Sequence, residues 1–148
     1  MLQFFEPARL LEYIHDFIIF DGGIKKTARP NQYFAVKAAQ PRVRKKQNGI
    51  IWHSQGSGKS LTMVWLAQWI RENVSDARVV IITDRDELDK QIESGFKDVG
   101  EQIQRAKSGG KLIEMLNAAE PWLICTLIHK FGNKNDLSLI HISEPTRL

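Results

Sequence analysis

Apolar positions recur along this chain with two different periods, and the way those periods alternate predicts its architecture. After Pro7, the residues Leu10, Leu11, Ile14, Phe17 and Ile18 follow helical spacing. The proline suits the first helical turn, where its missing N–H is no loss. The "DGG" of residues 21–23 breaks this helix. A second helix fits between Pro30 and Pro41, with Tyr33, Phe34, Val36 and Lys37 alternating faces. A basic turn, "RVRKKQNG", then leads to a strand at residues 49–53. Helix follows from about Lys59 to Asn73, and "ARVVIITD" is a short continuous apolar strand. Such runs belong to strands buried on both faces of a parallel sheet. "DELDKQIESGF" and "SGGKLIEMLNAAE" read as helices, and "PWLICTLI" as a strand. Strands alternating with helices of roughly 10–15 residues predict βαβ units, and hence an α/β fold with a parallel sheet flanked by helices.

Composition narrows the class only a little. At 148 residues the chain is long enough for one domain, which buries roughly 70% of its unfolded surface. Its 43% hydrophobic and 26% charged residues are those of a soluble globular protein. No apolar run approaches the ~20 residues that a membrane span needs, so no membrane partner is expected. The start, "MLQFFEPARLLEYIHDF", lacks the basic region and small-residue cleavage site of a secretory signal. A single cysteine, Cys125, rules out an internal disulfide and a paired-cysteine metal cluster. It fits a reducing cytoplasm, the expected location. The net charge of +4 permits a polyanionic partner without requiring one.

The chemistry concentrates in "GIIWHSQGSGKSLTMVW", which runs from an apolar stretch through glycines, a lysine and a serine into helical periodicity. A phosphate-binding loop has the pattern G-x-x-x-x-G-K-[ST] between a strand and a helix. Gly58, Lys59 and Ser60 supply its fixed end, and His53 stands where the first glycine would be. Glycines serve there because backbone N–H groups must close around phosphate oxygens with no Cβ in the way. The helix from Lys59 aims its N-terminal amides and dipole at the same anion. Lys59 would lie against the β- and γ-phosphates, and the Ser60 hydroxyl would ligate Mg²⁺. The plain alternative is a glycine-rich strand–helix loop with a solvated Lys59. The strand before and the helix after favour the nucleotide.

"WHSQGSGKSLTM", followed by "VVIITDRDELDKQ" and then "CTLIHKF", resembles the motor domain of the type I restriction endonuclease R subunit. That family is a superfamily-two DNA translocase with two RecA-like lobes. Upstream, "KKTARPNQYFAVKAA" is similar to the segment that precedes the family's phosphate loop. The resemblance spans about Pro7 to Lys134. It implies a P-loop NTPase fold, here an incomplete first RecA-like lobe. It also implies that Arg29 and Gln32 set a glutamine on the adenine edge, where one amide can match both N6 and N7. With Gln55, Gly56, Ser57, Gly58, Lys59 and Ser60 they would form the ATP site. Thr83, Arg85 and Gln91 resemble the motif that holds one DNA strand by its phosphates, and Thr126 and Lys130 the next DNA-contacting motif. A strand's C-terminal end suits that work, because ligand crevices of open α/β sheets lie there. Each has a bland alternative: Gln32 as a polar helix-surface residue, Asp86 and Glu87 as dipole decoration, and Lys130 as a solvated charge. The chain departs from the family with Pro30-Asn31 in place of an aromatic–His pair, and with Leu127 where a second threonine is common.

"DELD", Asp86 to Asp89, looks like the acidic box that ligates Mg²⁺, but the carboxylate of that box sits directly at a strand end, which here is Asp84. In the family this strand carries the DNA motif and the acidic box comes later, so the DNA motif is favoured over Asp84 as a ligand. Trp65 and Trp69, one helical turn apart, read as core, and Cys125 as a small hydrophobe. His15, His129 and His141 show no metal-ligand spacing. The basic run from Lys37 to Lys46 is a solvated loop at least as readily as a phosphate contact.

The expected organisation is a helical connector over residues 1–24, a partial lobe over 25–136, and a tail over 137–148. "LSLIHISEPTRL" does not continue the family pattern and reads as translated adapter sequence, so the chain is read as a gene fragment. The parent would be an ATP-dependent site-specific deoxyribonuclease acting on double-stranded DNA, together with methylation and specificity subunits. The alternatives are another superfamily-two motor, of the repair or type III restriction kind, and a non-catalytic nucleotide- or DNA-binding module.

Overall fold

The computed structural model describes residues 6–118 and 120–131, and these form a mixed α/β protein. Two compact units divide them. One comprises the residues up to Ala77 together with Ser94–Glu101, and the other Arg78–Glu93 together with the residues from Gln102 onward.

The first unit begins with helix α1, Pro7–Asp16, followed by strands β1, Ile18–Asp21, and β2, Ile24–Thr27. The helix therefore stops short of Phe17 and Ile18, which the apolar period had assigned to it. Ile18, Ile19 and Phe20 are β-branched or aromatic and favour a strand. Gly22 and Gly23 follow with φ of 57° and 83°, the two positive values that a tight two-residue hairpin turn demands. β1 and β2 accordingly pair antiparallel, with Ile18 opposite Thr27. The expected apolar face of α1 stays in solvent: Leu10, Leu11 and Ile14 are all exposed.

Helix α2, Pro30–Arg44, runs one turn past Pro41, where the sequence suggested a stop. It packs against α3, Lys59–Asn73. α2 buries Gln32, Tyr33, Val36 and Gln40, and α3 buries Val64, Trp65, Ala67 and Trp69. Phe17 anchors this unit. It is 1% exposed, and its ring centroid lies 4.7 Å from Tyr33, 5.9 Å from Tyr13 and 6.5 Å from Trp65. Residues 49–53 do not form the expected strand. They join no sheet among the described residues, and Ile50 and Trp52 are 90% and 92% exposed. A strand exists only through its ladder partners, and here none lies alongside.

The second unit holds the parallel sheet that the alternating periods predicted, in the order β3, β5, β4. β3 spans Val79–Thr83, β4 Ile103–Arg105 and β5 Leu123–Leu127. Cys125 in the central strand lies opposite Ile81 on one side and Arg105 on the other. All five residues of β5 are buried, as continuous apolar runs require. Helix α4, Asp86–Asp98, follows β3, and helix α5, Gly109–Asn117, follows β4. Ser108 caps α5 by accepting a hydrogen bond from Lys111 N at 3.2 Å. Ala106, Leu112, Met115 and Ile124 form the core, flanked by Val80, Leu116 and Phe131. The three-residue β4 escaped the sequence reading because so short a run carries no period. Burial pushes the Cys125 thiol up to about 12, consistent with a small hydrophobe rather than a nucleophile. Among the described residues no helix is long and apolar enough to cross a membrane.

Removing the aromatic anchor tests the packing of the first unit. Phe17→Ala should cost about 3–5 kcal/mol, measured as a fall in the urea midpoint at unchanged slope.

Candidate phosphate-binding loop

The loop between residues 53 and 60 takes its shape from two glycines. Gly56 and Gly58 have φ of 77° and 82°, a region that L side chains rarely occupy. Gly58 is also the N-cap of α3, and its carbonyl gathers three donors. Thr62 N donates at 3.2 Å, Thr62 Oγ1 at 3.3 Å and Gln32 Nε2 at 2.9 Å. Ser57 folds back on the loop, its Oγ donating to Ser54 O at 2.7 Å.

Lys59 begins α3 and curls over the loop, donating from Nζ to Ser54 O at 2.9 Å and to His53 O at 3.3 Å. Both partners are neutral carbonyls, and Lys59 and Ser60 are exposed. The ammonium gains a full opposite charge from a phosphate oxygen, where a carbonyl offers it only a dipole. A triphosphate arriving here would therefore outcompete the carbonyls for Nζ. Left-handed glycines, a lysine over the loop and the first turn of a helix are the kind of arrangement that can receive an anion, and Ser60 lies exposed in that first turn.

Gln32 has a place that neither sequence alternative described. It is 2% exposed, so it is no surface residue. Its Oε1 accepts from Arg29 N at 2.8 Å, closing the start of α2, while Nε2 holds the Gly58 carbonyl and also reaches Ser57 O at 3.4 Å. A Cβ built on Gly58 would run into Gln32 Nε2. Beside this contact opens a cleft of about 340 Å³ lined by Lys26, Thr27, Arg29, Gln32, Gly56 and Leu61. Lys26 and Thr27 are not singled out by the sequence, although they stand three and two residues ahead of Arg29 in the quoted "KKTARPNQYFAVKAA". A second, open cleft brings Gln55 and Ser57 together with Arg29 and His53.

The residues expected to grip DNA lie in the second unit, and they differ in access. Arg85 and Gln91 face solvent. The Arg85 guanidinium is 76% exposed, with Nε 3.7 Å from the Asp84 carboxylate. Thr83 is buried and its hydroxyl donates to Asp89 Oδ1 at 3.5 Å. Thr126 is fully buried, and its hydroxyl has no hydrogen-bond partner among the described residues. Lys130 Nζ donates to the Ala106 carbonyl rather than standing free in solvent.

Asp89 is fully buried and pairs with Arg105 Nε, while Arg105 Nη2 reaches Asp86. Asp86 also bonds Lys90 at 2.7 Å. The Lys90 hydrogen bond, then that of Arg105, holds the Asp86 carboxyl below its usual range, and Asp89 raises Arg105. Arg105 sits on the unanticipated β4, so no sequence signal pointed to it.

His15 also gains a neighbour that spacing could not show. Its ring, Asp16 and Glu72 bring ligand atoms within 4.8 Å of one another. His15 Nδ1 meets Asp16 Oδ1 at 2.5 Å, which raises the imidazole pKa.

An α/β chain with such a loop at a helix start has the makings of a nucleotide-driven ATPase, and the sequence match agrees. The SWI2/SNF2 ATPase family model matches residues 31–146, and the chain belongs to that family. Its relatives are more particular. It is 30% identical to the type I restriction enzyme SauCOLORF180P endonuclease subunit of Staphylococcus aureus, over 88% of this chain and 14% of that protein. It is 31% identical to the type I restriction enzyme HindI endonuclease subunit of Haemophilus influenzae, over 86% of this chain and 14% of that one. A Methanocaldococcus jannaschii protein, named as a candidate type I restriction enzyme MjaIXP endonuclease subunit, is 33% identical over 91% of this chain and 14% of its own length. The chain thus spans about one seventh of the curated relatives it matches. The resemblance drawn from the quoted motifs holds.

Gly58→Ala should both strain the loop and evict Gln32 from its carbonyl. A left-handed alanine costs about 1–2 kcal/mol, and each kcal/mol lowers the melting temperature of a domain this size by roughly 2–4 °C. A melting temperature equal to that of the unsubstituted chain would mean that the loop relaxes without cost.

Proposed function

We propose that the chain is the ATP-binding part of the DNA-translocating, DNA-cleaving R subunit of a type I restriction–modification system. The observation that carries the reading is Lys59 held in waiting over the loop carbonyls, between left-handed glycines and the start of α3. In this reading the fold is that of a P-loop NTPase. Residues 25–136 belong to its first RecA-like lobe, residues 1–24 are a connector, and residues 137–148 are foreign to it.

The loop's parts have distinct work. Gln55, Gly56, Ser57 and Gly58 wrap the phosphates with backbone amides, and Lys59 transfers from Ser54 and His53 to the β/γ-phosphate oxygens. Ser60 ligates the Mg²⁺ that accompanies ATP, and the metal neutralises phosphate charge. Arg29 and Gln32 border the adenine. Because the Gln32 amide already holds Gly58, base recognition and loop position are joined in one side chain. Arg85 and Gln91, both exposed, take the backbone of double-stranded DNA, with Thr83, Thr126 and Lys130 supporting the strand ends behind them.

The parent would act in the cytoplasm with methylation and specificity subunits. The restriction-enzyme names of the relatives support that assignment, and the SWI2/SNF2 match supports ATP as the fuel. In this reading Asp84 and the "DELD" run belong to the DNA motif rather than to the acidic box, and none of these 148 residues is assigned as an arginine finger. A finger alone is worth roughly 10³–10⁵ in rate, so the chain by itself binds Mg·ATP without turning it over.

Calorimetry tests the reading directly. Lys59→Ala should abolish Mg·ATP binding, since the loop loses its cation, and unchanged affinity would remove the phosphate-loop assignment. Gln32→Ala separates two roles. Loss of the clasp should weaken ATP and GTP alike, and loss of an adenine contact should add a further penalty for ATP alone. Equal losses would assign Gln32 to the loop only.

A further inference from the structure

The β3–α4 turn presents a puzzle for a segment that would hold a polyanion. Asp84, Asp86, Glu87 and Asp89 all lie within four residues of Arg85 in the chain, and Asp84, Asp86 and Glu87 share its exposure. Uncompensated carboxylates this close would repel DNA phosphates. We infer that Arg105 is a positioning residue that makes this turn fit for DNA, using two nitrogens of one guanidinium to hold two of the three carboxylates in the first turn of α4, Asp86 and Asp89. The inference rests on the DNA reading given above and adds to it a residue outside every motif.

Three observations carry it. Arg105 Nε pairs with Asp89, which is 0% exposed, so that carboxylate is turned inward and screened from anything bound outside. Arg105 Nη2 pairs with Asp86, whose side chain is 50% exposed and which Lys90 also bonds at 2.7 Å. Asp89 in turn accepts from the Thr83 hydroxyl at the end of β3. A chain of contacts therefore runs from β4 through Arg105 and Asp89 to Thr83, fixing the backbone that presents Arg85. A planar guanidinium can bridge two carboxylates at once, whereas a lysine ammonium acts as a single point charge. Loss of the fork leaves Asp86 with Lys90 as its remaining ion-pair partner among the described residues, and its charge less compensated beside the bound strand.

The test uses the full chain, a short fluorescein-labelled DNA duplex, and anisotropy titrations over a range of salt concentrations, with Mg·ATP binding and thermal melting followed in parallel. Arg105→Lys keeps the charge beside buried Asp89 but breaks the fork. It should weaken DNA binding roughly five-fold or more, with ATP affinity unchanged. The salt slope should also hold, because Arg105 touches no phosphate, whereas Arg85→Ala should lower that slope by about 0.9. Adding Asp86→Asn to Arg105→Lys should restore affinity to within about two-fold of the unsubstituted chain, since the released carboxylate is gone.

Wild-type DNA affinity in Arg105→Lys would overturn the inference, as would failure of Asp86→Asn to restore it. A slope that falls as far as in Arg85→Ala would make Arg105 a phosphate contact and overturn its positioning role. Should Arg105→Lys not fold, Asp89→Asn with Arg105→Gln supplies an uncharged pair, and undiminished affinity there counts equally against the inference. An unsubstituted chain that binds Mg·ATP but no duplex removes the DNA reading itself, which is a different failure from a folded Arg105 variant that binds like its parent.

Discussion

The hydrogen bond from Gln32 Nε2 to the Gly58 carbonyl is the constraint on which the loop depends. It ties the start of α2 to the start of α3 at a point where the backbone is left-handed and no Cβ can enter. A buried amide is costly to leave unpaired. Gln32 meets that cost by spending its oxygen on Arg29 N and its nitrogen on the loop. Freed of either partner, the side chain would leave a buried polar atom and a loop with one anchor fewer. The loop is thus held by side chains of the protein itself, and its lysine rests on neutral carbonyls.

Aromatic packing backs this arrangement from the other side of the same unit. Phe17 touches Tyr13, Tyr33 and Trp65, which come from α1, α2 and α3. Tyr33 is the residue after Gln32, so the cluster that fixes Tyr33 also limits where the glutamine can reach. Tyr13 adds a hydroxyl bond to the Ala28 carbonyl, directly ahead of Arg29. Sequence neighbours of the site are therefore held by side chains whose job is packing. The β3–α4 turn in the second unit is built by a different device, a buried carboxylate and a shared guanidinium.

How much of this the sequence revealed follows from which signals are local. The glycine–lysine–serine turn, α3 and the parallel pair β3 and β5 were legible, since each is written in consecutive residues or a plain period. The hairpin was misread as helix because Phe17 and Ile18 also satisfy helical spacing, and only the Gly22–Gly23 dihedrals decide between the two. Residues 49–53 have the composition of a strand but find no partner, and composition cannot supply one. Gln32 is marked in the sequence by its resemblance to an adenine-reading glutamine, whereas its bond to Gly58 joins residues 26 positions apart and leaves no local signal. Arg105 and Asp89 lie 16 apart and the arginine occupies a strand too short to have a pattern. Thr83 and Thr126 show the reverse: motif resemblance marked them, while burial turns both hydroxyls away from solvent.

Amide hydrogen exchange, with and without Mg·ATP, probes the central claim at the residues that make it. The account predicts that nucleotide slows exchange at the backbone amides of residues 55–60 and at the first turn of α3, where phosphates would take the N–H groups. It predicts no comparable change at α5, which carries none of the proposed contacts. Unchanged exchange across residues 55–60 at a nucleotide concentration that demonstrably binds would contradict it, because the triphosphate would then be held somewhere other than the loop that Gln32 holds.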